Sequence, residues 1–329
     1  PVFHYSTSIM SLSTPVALII FNRPDLTEIV FEAIAQAKPK KLLVIADGPR
    51  FPEEAEKCQQ ARAVIEKVDW DCEVLQNYSD KNLGCGIRPA TGITWVFEQV
   101  EEAIILEDDC LPSPSFFPFC QTLLERYRND EIIMHISGTK FKCGENKTNS
   151  NYYFSRYPYI WGWASWRRAW QHYDVDMKTW QQFKESGEMA TIYEDPYEQK
   201  YWKNIFDQTF NKTVKDVWDW QWYYTCQSRS GLSIVPRVNL ISNIGIGPNA
   251  THTISETRRP GLPKGDIWEI IHPPSIVRDR NADAYTFDYH WGGKNIKQNN
   301  TFLAKVKRKT RECQGVLTQQ LSSIWTKFL

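Results

Sequence analysis

An α/β fold with a mostly parallel central sheet flanked by helices is predicted by three observations. Residues 15–140 alternate short apolar runs with amphipathic stretches, the runs have strand length, and polar motifs recur directly after them. The last point matters because ligands of open α/β sheets bind beyond the carboxyl ends of the strands. PVALIIF, KLLVIA, CEVLQN, AIILE and EIIMHIS read as the strands. Between the first two, DLTEIVFEAIAQA places Leu26, Ile29, Val30 and Ile34 on one helical face, and Asp25 with Glu28 has capping-box spacing. Pro52 opens a second helix, PEEAEKCQQARAVIEKV, where proline is tolerated. IRPATGITWVFEQVE and PSFFPFCQTLLERYRND supply two more.

From about residue 141 the pattern changes. The polar segment KCGENKTNSN reads as a boundary loop and precedes the aromatic run YPYIWGWASWRRAW. A helix near DPYEQKYWKNIFDQTFN, the segment VWDWQWYYTCQSRSG and a strand running into a Gly-containing loop, SIVPRVNLISNIGIGPNATHT, follow. Such loops often cover ligands. The expected organisation is a tail over 1–14, a nucleotide-binding subdomain over 15–140, an acceptor-side subdomain over 141–255 and a C-terminal helical extension over 256–329. Two readings of the first residues stand side by side: a native start at Met10 with residues 1–9 extraneous, or residues 1–9 native. The tail after residue 302 is partly basic and amphipathic. It reads as a helix docking on the body or on a second copy of the chain, ahead of a peripheral membrane contact, because its charges cluster at one end.

The 329 residues are 42% hydrophobic, enough for a sizeable core, and 39 basic side chains balance 39 acidic ones. No global field recruits nucleic acid or an anionic surface, so phosphate binding has to be local. Eight cysteines form no CxxC pair and no zinc-spaced cluster, which favours a reduced cytoplasmic setting. No run approaches the ~20 apolar residues that span a bilayer.

The most telling stretch is AIILEDDC, a core strand ending in Glu107, Asp108 and Asp109. Hard oxygen ligands there suit Mn²⁺ or Mg²⁺ carrying a diphosphate, since such ions take one or two protein carboxylates and fill other positions with phosphate oxygens and water. The competing reading makes Asp109 or Ser113 a helix cap and leaves Glu107 and Asp108 solvated. FNRPD, ADGPR and NLGCG end the other strands, so Arg23, Asp47, Gly84 and Gly86 converge on the same rim. Asp219, between Trp218 and Trp220, is a candidate general base. His252, after the Gly-containing loop, is a candidate metal or diphosphate ligand.

These motifs resemble the nucleotide-diphospho-sugar glycosyltransferases of the GT-A fold, a Rossmann-like architecture, and in particular bacterial proteins similar to N-acetylglucosaminyltransferase I. The likeness runs from about 15 to 255. It implies that Glu107, Asp108 and Asp109 bind metal and nucleotide sugar, with Asp109 as the direct Mn²⁺ ligand, and that Arg23 and Asp47 hold uridine diphosphate. Trp161, Gly162 and Trp163 would line the sugar and acceptor cleft. Trp218, Asp219, Trp220 and Gln221 match a W-D-D-W base motif whose second acid is here Trp220, which leaves the base open between Asp219 and Asp216. The implied activity is metal-dependent, inverting transfer of a sugar, by resemblance N-acetylglucosamine, from a UDP-sugar to a hydroxyl of a carbohydrate or glycoconjugate acceptor. Two alternatives stand beside it: a sugar-phosphate nucleotidyltransferase, although FNRPD lacks that class's glycine run, and a non-catalytic carbohydrate- or nucleotide-binding protein of the same fold. An NAD-dependent oxidoreductase is disfavoured because no GxGxxG opens a helix.

Overall fold

The computed structural model describes residues 12–141, 149–245 and 262–301. Its strands are β1 (Val16–Ile20), β2 (Lys41–Ala46), β3 (Glu73–Tyr78), β4 (Glu102–Glu107), β5 (Cys110–Pro112), β6 (Ile133–Ser137), β7 (Tyr152–Ser155), β8 (Trp163–Trp166), β9 (Leu232–Pro236) and β10 (Ile241–Asn243). Eight of them form one sheet in the order β3-β2-β1-β4-β8-β6-β9-β7. The β3-β2-β1-β4 half is entirely parallel, β8 runs antiparallel to both β4 and β6, and β7 is an antiparallel edge beside β9. The helices are α1 (Pro24–Ala37), α2 (Ala55–Ala63), α3 (Gly84–Gln99), α4 (Phe116–Arg126), α5 (Arg167–Trp170), α6 (Trp180–Glu185), α7 (Met189–Ile192), α8 (Pro196–Phe210), α9 (Asp219–Ser228), α10 (Arg280–Tyr289) and α11 (Gly293–Asn299). The predicted α/β class with helices on both sheet faces is what the chain adopts.

Strand alternation explains the layers. Val16, Leu18 and Ile20 of β1 point into a core shared with α1 and α4, while Ala17 and Ile19 point into one shared with α3 and α9. Covered on both faces, β1 is necessarily a continuous apolar run. A third cluster, mostly aromatic, joins α6, α8, α9 and α10 around Trp180, Trp202, Tyr157 and Tyr223.

Several local expectations change. Pro24 takes the first helical position of α1, so Arg23 is the N-cap and the Asp25/Glu28 capping box does not form. Pro52 opens only a 3₁₀ turn before α2 begins. Neither Asp109 nor Ser113 caps α4, because β5 intervenes and Ser115 stands at the N-cap. The strand expected over SIVPRVNLISN breaks in two: β9 stays in the main sheet, whereas β10 pairs with β5 in a separate two-stranded sheet. None of the six described cysteines is in a disulfide, and no described helix is long and apolar enough to cross a membrane. The basic tail lies outside the described residues.

Candidate active site

Parallel pairing places Ile19 opposite Glu107, so the chain leaving β1 runs beside the acids leaving β4. Arg23 fills the gap between them. Its Nη1 lies 3.0 Å from Asp109, and its Nε and Nη2 both donate to Asp108, which is 2% exposed. One guanidinium thus faces three carboxylates. Burial first, then repulsion from Asp109 and Asp108, pushes the Glu107 carboxyl up to about 8. Burial likewise lifts Asp108 to about 6, against the pull of Arg23. Burial works against the Arg23 charge, but Asp108 and Asp109 outweigh it, so its pKa rises above the ordinary guanidinium value. The cluster carries more negative charge than its side chains neutralise.

The β10–β5 pairing brings a second segment onto Asp109. Ile244 N–H donates to the Asp109 carbonyl (2.8 Å), Asn243 Nδ2 reaches its carboxylate at 3.5 Å, and Gly245 N–H donates to Asn243 Oδ1 (3.0 Å). A Cβ on Gly245 would stand 2.7 Å from Asp109 Cβ and 2.9 Å from Arg23 Nη1. Asn243 and Gly245 were not singled out as site residues in the sequence. The signal for them was the glycine in NIGIG directly after a strand.

Asp47, which the resemblance assigns to uridine diphosphate, lines the same rim and is tied to the start of α3. Its two oxygens accept from the backbone N–H groups of Gly48, Leu83 and Gly84 and from Asn82 Nδ2, at 2.9–3.2 Å. These partners use the carboxylate's capacity to accept hydrogen bonds, so Asp47 pins the start of α3. The glycines of NLGCG serve close packing within the protein. Gly84 has a left-handed φ of 80°, and a Cβ on Gly86 would meet Val217 N at 2.9 Å and Asp216 C at 3.0 Å. The segment 216–217 therefore lies flat on the first turn of α3, immediately before Asp219.

Asp219 is held in place from behind. In the core, His135 Nε2–H donates to the Tyr159 carbonyl (3.0 Å) and Nδ1 accepts from the Trp222 indole N–H (3.2 Å). The ring stacks on Trp163 with centroids 5.0 Å apart. Trp163 in turn stacks on Trp218, so the aromatic layer runs from β6 through β8 to the first turns of α9.

These elements enclose a cavity of about 520 Å³ lined by Arg23, Asp47, Gly84, Glu107, Asp108, Asp109, Trp161 and Asp219, together with Asp216, Asn243 and Gly245. The Asp219 charge is close enough to add to the upward push on Glu107. Three predicted residues are absent from the cavity wall: Gly86, which packs against the segment 216–217, and Gly162 and Trp163. Trp163 is 1% exposed in the core and Gly162 packs under Ile241 and Leu106, because β8 begins at Trp163 and carries it into the sheet, which leaves Trp161 alone at the rim. His252 lies outside the described residues. Among the described residues no group of three or more His, Cys, Asp or Glu side chains is arranged to hold a metal. The donor chemistry fits a hard divalent cation nonetheless: Asp109 offers carboxylate oxygen beside an under-neutralised acidic cluster, and such ions need only one or two protein carboxylates when a diphosphate is bound.

No protein-family model matches the chain, and no curated protein matches it. Among solved structures it is similar to UDP-glucose pyrophosphorylase complexed with UDP-glucose (12% identity, TM-score 0.25, covering 44% of this chain and 62% of that one). It is also similar to the inositol-1-phosphate CTP transferase from T. maritima (12%, 0.28, 49% and 74%) and to apo UDP-glucose pyrophosphorylase (10%, 0.35, 69% and 93%). The chain spans less than two thirds of the first of these. Likenesses this distant carry no argument about what the chain does.

Proposed function

We propose that the chain is a metal-dependent, inverting glycosyltransferase that moves a sugar from a UDP-sugar to an acceptor hydroxyl. The observation that carries the reading is the position of Asp219. It shares one cavity with the acids that end β4, and among the described residues it is the only carboxylate that also lines a second, adjoining cavity. A base at that junction would meet an acceptor entering from one side and a donor held on the other, as direct displacement requires. Asp216 is the weaker candidate, since it lines only the first cavity and lies against Gly84. Asp109 would hold Mn²⁺ or Mg²⁺, whose charge would offset that developing on the leaving diphosphate. Glu107 and Asp108 would set the field around it, and Arg23 would orient both acids.

A second reading is sugar-phosphate nucleotidyltransfer, the kind of reaction for which two of the similar structures are named. Against it, the arginines lining the cavity already have protein partners: Arg23 the acids, Arg50 Glu54, and Arg88 the carbonyls of Ala46 and Asn77. One experiment separates the readings. The chain is incubated with a panel of UDP-sugars and Mn²⁺, with and without pyrophosphate. The transferase releases UDP and free sugar slowly and forms no UTP; UTP with sugar phosphate would establish the second reading, and binding without turnover a non-catalytic protein. Asp219→Asn should keep UDP affinity and lower transfer about 10²–10⁴-fold; full activity would remove its role as base.

A further inference from the structure

We propose that the second cavity is the acceptor subsite and that it takes a neutral saccharide, stacked against aromatic rings supplied by the C-terminal segment 285–291. The proposal rests on the transfer reading above and names its acceptor class. The cavity, about 610 Å³, shares Ile160, Trp161, Asp219 and Trp220 with the first, so the two are continuous at the candidate base. Its far wall comes from α10 and the link to α11, which supply Tyr285, Tyr289 and Trp291. Tyr285 and Tyr289 stack face to face at 4.3 Å, and Trp291 packs edge-on against Trp202 at 5.3 Å. The chain can turn into α11 there because Gly292 adopts a left-handed φ of 79°.

Charge decides the class of ligand. No lysine or arginine stands among the described lining residues, the single carboxylate is Asp219, and the one imidazole, His290, is stacked on Phe141 with ring centroids 3.7 Å apart. A phosphate, sialyl or sulfate group would be desolvated there with no lysine or arginine in the wall and would face the Asp219 carboxylate. A neutral pyranose suits the wall because its C–H face packs on aromatic rings while its hydroxyls turn to polar groups, one of them Asp219. The wall is also fixed before any ligand arrives. Asp283 on α10 accepts from Ser155 and pairs with Arg156 (3.3 Å) and Arg278 (3.5 Å), and Lys297 on α11 pairs with Asp195 at 2.6 Å. Preorganised rings stack a sugar at little cost in ordering.

The test is an array of neutral and of sialylated or sulfated oligosaccharides, probed with the full chain in the presence of UDP and Mn²⁺. The double variant Tyr285→Ala/Tyr289→Ala runs beside it, and UDP affinity of both proteins is measured by calorimetry. Wild type should retain neutral saccharides, and the double variant should lose about tenfold or more of that binding with UDP affinity unchanged. If the double variant melts early, Tyr289→Ala takes its place, since that ring is 58% exposed. Retention of acidic saccharides only, of none, or undiminished binding by the variants would overturn the proposal. The two readings fail separately: UDP binding without neutral saccharide binding removes the subsite alone. Saccharide binding lost in the variants, without any UDP binding, removes the transfer reading and leaves the subsite.

Discussion

A single methyl at Gly245 should remove nucleotide binding while leaving the fold nearly as stable. In Gly245→Ala the new Cβ lies 2.7 Å from Asp109 Cβ and 2.9 Å from Arg23 Nη1, and closer still to an Asp109 carboxylate oxygen. Carbon contacts are optimal near ~3.5–4.0 Å, so relief needs a shift on the order of 1 Å shared between the loop and the ion pair. Overpacking of this kind costs about 1–3 kcal/mol, and the lost freedom of the unfolded chain returns ~0.4–1 kcal/mol. The net, roughly 1–2 kcal/mol, lowers the melting temperature by about 2–8 °C in a chain of this size. Metal geometry is less forgiving. Mg²⁺ holds its oxygens at ~2.0–2.1 Å, and misplacing a functional group by about 1 Å costs on the order of 10²-fold. Calorimetric titration of UDP with Mn²⁺ or Mg²⁺, beside a thermal melt, reads both effects. A variant that binds UDP as tightly as wild type and melts at the same temperature would refute the assignment of Asp109 and its neighbours to the nucleotide.

Asp47→Ala strips the partners from the start of α3 and should destabilise by about 2–4 kcal/mol in urea unfolding; a loss under ~0.5 kcal/mol would show that the carboxylate does not hold that turn. His135 gives a pH dependence. Burial depresses its pKa from 6.5 to about 3, so below pH 6.5 the unfolded chain binds a proton that the folded chain does not. Its effect on stability is therefore absent above pH 6.5 and becomes a loss of up to about 1.4 kcal/mol per unit as pH falls toward 3. Urea midpoints at several pH values should show a shallower decline in His135→Asn than in wild type, and identical slopes would count against it. Asp283→Ala leaves Arg156 buried beside Glu198 at 3.8 Å without its nearer partner, and should cost about 3–5 kcal/mol. Limited proteolysis should then cut first near α10; cleavage elsewhere first would show that Asp283 does not fasten that helix.

What the sequence made legible follows from how far each residue's partners lie along the chain. β1, β2 and β4 were readable because a strand covered on both faces has to be a continuous apolar run, and the acids stood out because charge is rare at the end of such a run. Trp161, Gly162 and Trp163 read as one aromatic unit, yet the pleat of β8 takes Trp163 into the core and leaves Trp161 on the rim. The internal partners of Asp47, namely Asn82, Leu83 and Gly84, were not legible because they come from another loop. The glycines show the limit most clearly. Gly84 and Gly86 marked a place where backbone comes close to something, with a nucleotide as the expected visitor, whereas Gly245 was not singled out. In the fold, Gly86 admits the segment that leads to Asp219, and Gly245 admits Asp109 and Arg23. Close approach at Gly86 was legible; the approaching partner was not, because in each case it lies about 130 residues away or more and only the fold brings the two together. The same dependence makes the site cooperative. The acids, the candidate base and the loop over Asp109 come from three separate stretches of chain, so changes that leave every proposed chemical group intact, at Gly86 or His135 as much as at Gly245, are expected to act on function through position.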